Sequence, residues 1–451
     1  MLTELAAAVR SGRISPIDLV EESLRRIEGD AHNAVIRVEA DSAREAALTH
    51  PRIGPLAGLP LLVKDLARCE GSVTTMGGSP FLLGDAPDQI DDVVVARLRA
   101  AGAIVLGRTN SPAYGHAAFT ANRHFGATTN PWNPARSPGG SSGGSAAALA
   151  AGLAPLATTS DGGGSVRIPA AMCGLVGLKP TLGAVGRNVL PTWIEFSTQG
   201  ATAATVADVV LQASIITGLA AGDWTSVPGG TCHLTPTRPA RVLACRTFRA
   251  EVAPVVEAAF EATIDTLAAE GLPVERVDAP SDNATFMAWL TIATAELAQR
   301  LAPERHRWDE LDGSLVPLLQ LGETVITSDY IAAQRLRHEV GARIDDLLGT
   351  DAVLVLPTTN VESWSPAGPT TDHAGAVTGD PTLATNTADL NATGHPAVSV
   401  PMGSDEGGVP LGIQVVAPRF REGLALGVAQ VLERAQPWPA VAPGFRPFWP
   451  L

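Results

Sequence analysis

The sequence predicts an α/β protein in which strands and helices are layered into one continuous body. Strand-like and helix-like stretches alternate over most of the 451 residues. Hydrophobic residues make up 45% of the chain and charged residues 17%, enough apolar side chain to fill a large core. No Pro/Gly/Ser linker is long enough to divide it, so residues 1–451 read as a single domain.

The opening stretch "MLTELAAAVRSGRISPIDLVEESLRRIEG" gives two amphipathic helices split by a Ser-Pro start signal. It has no basic head, unbroken apolar run or small-residue cleavage site, so a cytoplasmic location is expected. "LAGLPLLVKDL" reads as a short buried strand bounded by Gly58 and Pro60, and "DDVVVARLRAAGAIVLGRTN" as a helix followed by a strand. From Asn110 to Ser137 the chain is polar, aromatic and rich in Asn and Pro, which predicts a long loop of functional type. "GSAAALAAGLA" has the composition of a tightly packed helix, and "LAPLATTS" that of a strand. Further strands are expected in "RVLACRT", "LPVERVD", "DAVLVLP", "PAVSVPMG" and "LGIQVVA", with helices near 252–270, 283–302, 328–349 and 421–435. The stretch "PTTNVESWSPAGPTTDHAGAVTGDPT" reads as a loop that could cover a pocket.

A net charge of −14 and a pI near 5.1, with no basic run, disfavour nucleic acid and anionic membranes as partners. The four cysteines, Cys69, Cys173, Cys232 and Cys245, form no C-x-x-C pair, and the nine histidines show no metal-ligand spacing. His116 and His124 lie in the polar loop and His395 between Gly394 and Pro396. Neither a metal nor a cofactor is expected.

Of 32 basic residues only Lys64 and Lys179 are lysines. Arginine cannot release its proton near neutral pH, whereas a buried lysine can be tuned into a base; genomic base composition would give the same count. Lys64 stands in the apolar run "LPLLVKD", where desolvation lowers an amine pKa at a cost on the order of 4 kcal/mol. Asp65 follows it, but neighbours on a strand point to opposite faces, so its carboxylate need not restore the charge.

The serines admit several arrangements. Gly139-x-Ser141-x-Gly143 matches a nucleophile elbow, but "TNPWNPARSP" before it is no strand. A Ser-x-x-Lys pair fails, because Leu61 and Val176 stand three residues before the lysines. What remains is a candidate base and two serines in glycine runs, Ser141 and Ser165, joined by a helix and a strand.

"PLLVKD" and the 45 residues "SPGGSSGGSAAALAAGLAPLATTSDGGGSVRIPAAMCGLVGLKPT" (137–181) resemble the amidase signature family, as do "GRTNSPAYG", "TVADVVL" and "GHPAVSVPMG…GVPLGIQVVAPRF". The resemblance implies an α/β/α sandwich around a large mixed, mostly parallel twisted sheet, with a signature core at about 55–215 and 385–420 and a variable substrate-facing insert at about 220–380. It implies a Ser-cisSer-Lys triad of Ser165 as nucleophile, Ser141 as bridging serine after a cis peptide, and Lys64 as base. Which serine attacks rests on the resemblance alone. The implied reaction is hydrolysis of an amide, carbamate or ester through an acyl-enzyme. On this reading the backbone amides of Gly162, Gly163, Gly164 and Ser165 can converge on an oxyanion. Ser142 and Ser160 would hydrogen-bond around the relay, and Asp161 and Arg167 would pair to hold the loop or remain ordinary surface charges. Lys179 is expected to make a structural contact and Cys173 to be packed. The chain departs from the family pattern at Ala201, where a proline commonly follows the glycine.

Met76, Tyr114, Trp193, Phe196 and the 360–380 loop are the expected pocket lining, with room for a small aryl or alkyl amide or a urethane as substrate. A monomer or homodimer is expected. The rival reading is the glutamine-hydrolysing subunit of a tRNA-dependent amidotransferase, which works with a partner protein.

Overall fold

A computed structural model describes residues 1–249, 251–368 and 385–448. The two opening helices are Leu2–Arg10 and Pro16–Glu28, the second started by a capping box between Ser15 and Asp18 with Pro16 in its first turn. A four-stranded sheet follows, in the order Val35–Val38, Ile104–Thr109, Pro60–Lys64 and Leu156–Ala157. Its last three strands run parallel and only Val35–Val38 is antiparallel to its neighbour. Lys64 therefore ends an inner, fully buried strand, at the carboxyl edge of the parallel strands.

The larger sheet has eight strands, beginning with Val274–Arg276, Arg241–Ala244 and Ala352–Pro357 in parallel. It continues through Pro410–Val416, Ala397–Ser404, Val176–Lys179, Thr198–Ala203 and Thr159–Asp161, each antiparallel to the strand before it. The α/β architecture with a large mixed sheet is thus present. Parallel neighbours prevail in the smaller sheet and between 241 and 357, where helices cross over. Elsewhere strands that run in the same direction, such as Thr159–Asp161 and Val176–Lys179 or Ala352–Pro357 and Ala397–Ser404, are separated by one antiparallel strand inserted between them, and Ala397–Ser404 and Pro410–Val416 form a short hairpin. Ala201 pairs with Leu178 inside this ladder.

Helices Pro254–Ala269, Val206–Ile216 and Glu422–Ala435 pack through Phe260, Val209 and Leu426 on the larger sheet, forming one apolar core with Val355, Val398 and Val415. Helices Asn283–Leu301, Val316–Thr324 and Thr327–Leu348 associate with one another beside it. The sequence reading places Pro254–Ala269, Asn283–Leu301, Thr327–Leu348 and Glu422–Ala435 within two residues of these limits and does not show Val206–Ile216 or Val316–Thr324. No helix among the described residues is long and apolar enough to cross a membrane.

"LAPLATTS", expected as one strand, is two. The chain leaves the smaller sheet after Ala157 and joins the larger at Thr159; between them the Thr158 amide donates to the Leu62 carbonyl, and its own carbonyl accepts from Ser145 Oγ. The alanine-rich helix Gly143–Ala150 is buried along its whole length. A methyl group on Gly144 would run into the Asn110 carbonyl oxygen, which is backbone and cannot turn away. Gly144→Ala is expected to lower unfolding free energy by about 1–3 kcal/mol, measured by urea denaturation, because overpacking here must move backbone.

Candidate active site

Lys64 enters the site from the end of its strand, with its own amide fixed on Thr158 Oγ1 at 2.9 Å. Its Nζ lies 2.8 Å from Ser141 Oγ, 2.9 Å from Ser142 Oγ and 3.1 Å from Ser160 Oγ. The amine is fully buried, and burial pulls its pKa down from the usual lysine range to about 7, against the opposing pull of Asp161. Asp65, on the opposite face, accepts from the Thr75 and Gly77 amides and from Arg108.

The hydroxyl network has a direction. Ser142 Oγ donates its one proton to the Ser160 carbonyl at 3.2 Å, so toward Lys64 it can only accept. A neutral amine has two protons and one lone pair, which fits donation to Ser142 and Ser160 and acceptance from Ser141. Ser142 stands at the start of helix Gly143–Ala150 without capping it, which leaves its hydroxyl for this contact. The Gly140–Ser141 peptide is cis. A side chain at 140 would strike the Phe119 backbone, so only glycine fits before the serine.

Ser165 lies just before helix Arg167–Cys173, and its carbonyl accepts from the Ser142 amide at 3.3 Å. The loop before it is fastened from behind. Asp161 takes hydrogen bonds from the Gly164 amide at 2.7 Å, the Val166 amide at 3.1 Å, and Arg167 Nε and Nη2 at 3.0 and 2.9 Å. Asn391 adds a further bond at 2.9 Å, and Arg167 reaches Gln414 and Asn391 in turn. Burial alone would raise the Asp161 pKa, but the Arg167 guanidinium holds it down at about 2. Asp161 and Arg167 are thus a buried pair and not surface charges.

These bonds correct one expectation. The Gly164 amide faces Asp161, which leaves Gly162, Gly163 and Ser165 as the amides available to an oxyanion. The carbonyls of Gly162 and Gly163 accept from Trp289 Nε1 at 2.9 Å and Thr387 Oγ1 at 2.6 Å. Methyl groups added at Gly162, Gly163 and Gly164 would overlap Trp193, Trp289 and Thr387.

Ser141, Ser160, Gly162 and Ser165 face one cavity of about 100 Å³, walled also by Met76, Tyr114 and Trp193. Met76 and Tyr114 both adopt left-handed backbone conformations and are tied by the Tyr114 amide donating to the Met76 carbonyl. Phe196, expected in the lining, does not reach it: the ring is buried between Trp289 and the Arg337 guanidinium. Beyond Trp193 lies a larger chamber of about 360 Å³ lined by Phe119, Trp289, Leu290, Leu297 and Leu318. Of the 360–380 loop, residues 360–368 pack here through Ala367 and Gly368, and the remainder lies outside the described residues.

Lys179 is buried and donates to the Pro180 carbonyl at 2.9 Å; burial, then Arg167, lowers its pKa to about 7. Cys173 is packed against the Pro138 carbonyl, and burial raises its thiol pKa. His116 is buried and bonded to the Ala113 carbonyl and Ser314 Oγ, and His395 is buried and bonded to Thr393 Oγ1 and Asp345, so neither ring bonds to Ser141 or Ser165. No cluster of three or more potential metal-ligating side chains occurs among the described residues.

Residues 18–426 match the amidase family model. The chain belongs to the amidase family. It is 34% identical to a glutamyl-tRNA(Gln) amidotransferase subunit from Aromatoleum aromaticum, over 98% of this chain and 99% of that protein. An acylamidase from Rhodococcus erythropolis is 31% identical, over 97% and 95%. The structure of a 6-aminohexanoate cyclic dimer hydrolase complexed with substrate superposes with a TM-score of 0.87 at 30% identity, covering 98% of both chains. Like these amidases it is an enzyme acting on amide C–N bonds.

Thr158, Trp289, Thr387, Asn391 and Gln414 support the site but carry no local motif. Asp161→Asn leaves the buried Arg167 without its counter-charge, and a loss of about 3–5 kcal/mol at pH 7 is expected in denaturant unfolding. Because the Asp161 pKa is depressed on folding, its contribution is present above about pH 4 and lost as pH falls toward 2. The gap between wild type and variant should shrink over that window.

Proposed function

We propose that this amidase is a serine hydrolase that cleaves a carboxylic amide or carbamate through an acyl-enzyme on Ser165, with Ser141 and Lys64 relaying the proton. The observation that carries the reading is the Lys64 amine, desolvated to a pKa of about 7 and 2.8 Å from Ser141 Oγ. In the first step Ser165 Oγ bonds to the carbonyl carbon as its proton passes to Ser141 and the Ser141 proton passes to Lys64. The carbonyl oxygen takes the charge beside the Gly162, Gly163 and Ser165 amides, each donor being worth about 3–4 kcal/mol. Collapse breaks the C–N bond, and the proton returns through Ser141 to the departing amine. Water then attacks the acyl-enzyme through the same relay and releases the acid.

The apolar chamber behind Trp193 supports a small aryl or alkyl group on the substrate. The acylamidase and cyclic dimer hydrolase relatives are in keeping with this. A second reading, glutamine hydrolysis inside an amidotransferase, is favoured by the 34% identity to an amidotransferase component. Steady turnover of 4-nitroanilides by the protein alone supports the first reading; turnover of glutamine alone, and only with partner proteins, supports the second.

Ser165→Ala and Lys64→Ala are each expected to lower kcat by about a thousandfold or more, measured on a 4-nitroanilide with folding checked by circular dichroism. Retention of a tenth of wild-type kcat by either variant contradicts the triad. Lys64 acts as base only when neutral, so kcat/KM should fall about tenfold per pH unit below about 7. Lys179 has a similar pKa but no contact with the serines, and Lys179→Gln should keep that limb.

A further inference from the structure

The catalytic cavity carries charges that the proton relay does not use. Arg68, Arg187 and Arg300 line it together with a single carboxyl group, that of Asp92. In a chain with a net charge of −14 this is a local reversal of sign. Arg187 is occupied: its main-chain and side-chain nitrogens hold Asp223, and its remaining nitrogens hold Thr225 and the Ile194 carbonyl. Asp92 is buried as the cap of helix Val93–Ala100, accepting from the Val94 amide, and burial raises its pKa to about 6.

The other two guanidinium groups are poorly matched. Arg68 Nε stands 3.9 Å from Asp88 Oδ1, beyond hydrogen-bond distance, while Oδ2 of that carboxylate accepts from Thr74 Oγ1 at 2.6 Å and from the Cys69 amide; its charge also acts on Asp92. Arg300, in the last turn of helix Asn283–Leu301, has no hydrogen bond, ion pair or ring contact among the described residues. Its charge acts on Tyr114, whose hydroxyl is held by Ser79 in the same cavity wall, together with the opposing charges of Glu304 and Asp85, neither of which lines the cavity. An exposed arginine that faces a reaction cavity with nothing to bind is placed to meet a ligand, and guanidinium is suited to a planar carboxylate.

We propose that this rim binds a carboxylate carried by the substrate, with Arg300 as anchor and Arg68 in support, so that the preferred substrate is an amide bearing an anionic group a few bonds from the scissile carbonyl. This rests on the serine amidohydrolase reading and narrows its substrate class. The carboxylate could sit on the acyl side, as in a dicarboxylic acid monoamide, or on the amine side, as in an N-acyl aminobenzoate. In either position a cationic mouth also concentrates the anionic substrate, an effect that salt screens.

Two matched pairs test it: succinyl against pentanoyl 4-nitroanilide for the acyl side, and 4-acetamidobenzoate against 4-acetamidotoluene for the amine side. The expected result is a kcat/KM at least tenfold higher for the charged member of one pair at low salt, and the pair that shows it names the side. That advantage should fall severalfold at 0.5 M NaCl. In Arg300→Ala it should fall at least tenfold, mainly through KM, with partial recovery in Arg300→Lys. Absence of any charge preference in the wild type overturns the proposal, as does a preference that survives in both Arg300→Ala and Arg68→Ala. If neutral anilides are turned over in a Ser165-dependent way without charge preference, only this inference fails. If none of the four compounds is hydrolysed, the serine amidohydrolase reading fails and takes this one with it.

Discussion

The site depends on keeping the Lys64 amine away from water. Moving a lysine pKa from 10.5 to about 7 corresponds to roughly 5 kcal/mol against the charged form. Much of the surrounding architecture can be understood as holding that environment. The inner strand Pro60–Lys64 is buried at every residue, the Ser142 hydroxyl is oriented by the Ser160 carbonyl, and glycines at 140, 143 and 144 let the Phe119, Thr120 and Asn110 segments pack directly against the backbone that carries Ser141 and Ser142. A water molecule among these hydroxyls would solvate the ammonium form and raise the pKa again. The proposed relay therefore needs close packing as much as it needs the three side chains.

A second constraint fixes the other serine. The Asp161–Arg167 pair lies beneath the glycine loop and is tied to Asn391 and Gln414, which come from the far end of the chain. Through Asp161 it sets the Gly164 and Val166 amides on either side of Ser165. Trp289 and Thr387 hold the preceding carbonyls, so the loop is defined by contacts on its back face while its front stays open to the cavity. The same Asp161 tempers the desolvation of Lys64, so one carboxylate influences both the position of Ser165 and the charge on the candidate base.

What could be read in the sequence follows from what local patterns encode. The buried strand ending at Lys64, the alanine-rich helix and the four long helices were legible because period and composition act over neighbouring residues. The two glycine-serine runs pointed to the serines, but the assignment of roles came from family resemblance and not from spacing. The direction of the Gly164 amide could not be read, since it depends on a carboxylate three residues back being free to turn inward toward Arg167. Phe196 was an expected pocket residue on its position in the chain alone, yet its ring turns to Trp289, nearly a hundred residues later. Thr158 divides an apparently single strand between two sheets, which no period-two pattern reveals.

In the proposed mechanism Ser165, activated through Ser141 by a neutral Lys64, forms the covalent bond to the substrate. This step is tested most directly by inactivating the enzyme with a fluorophosphonate and locating the adduct by peptide mass spectrometry, with the inactivation rate followed against pH. A single adduct on Ser165 is expected, formed at a rate that rises with pH through an apparent pKa near 7. An adduct on Ser141, or a Ser165 adduct whose rate does not change between pH 5 and 9, would contradict the mechanism.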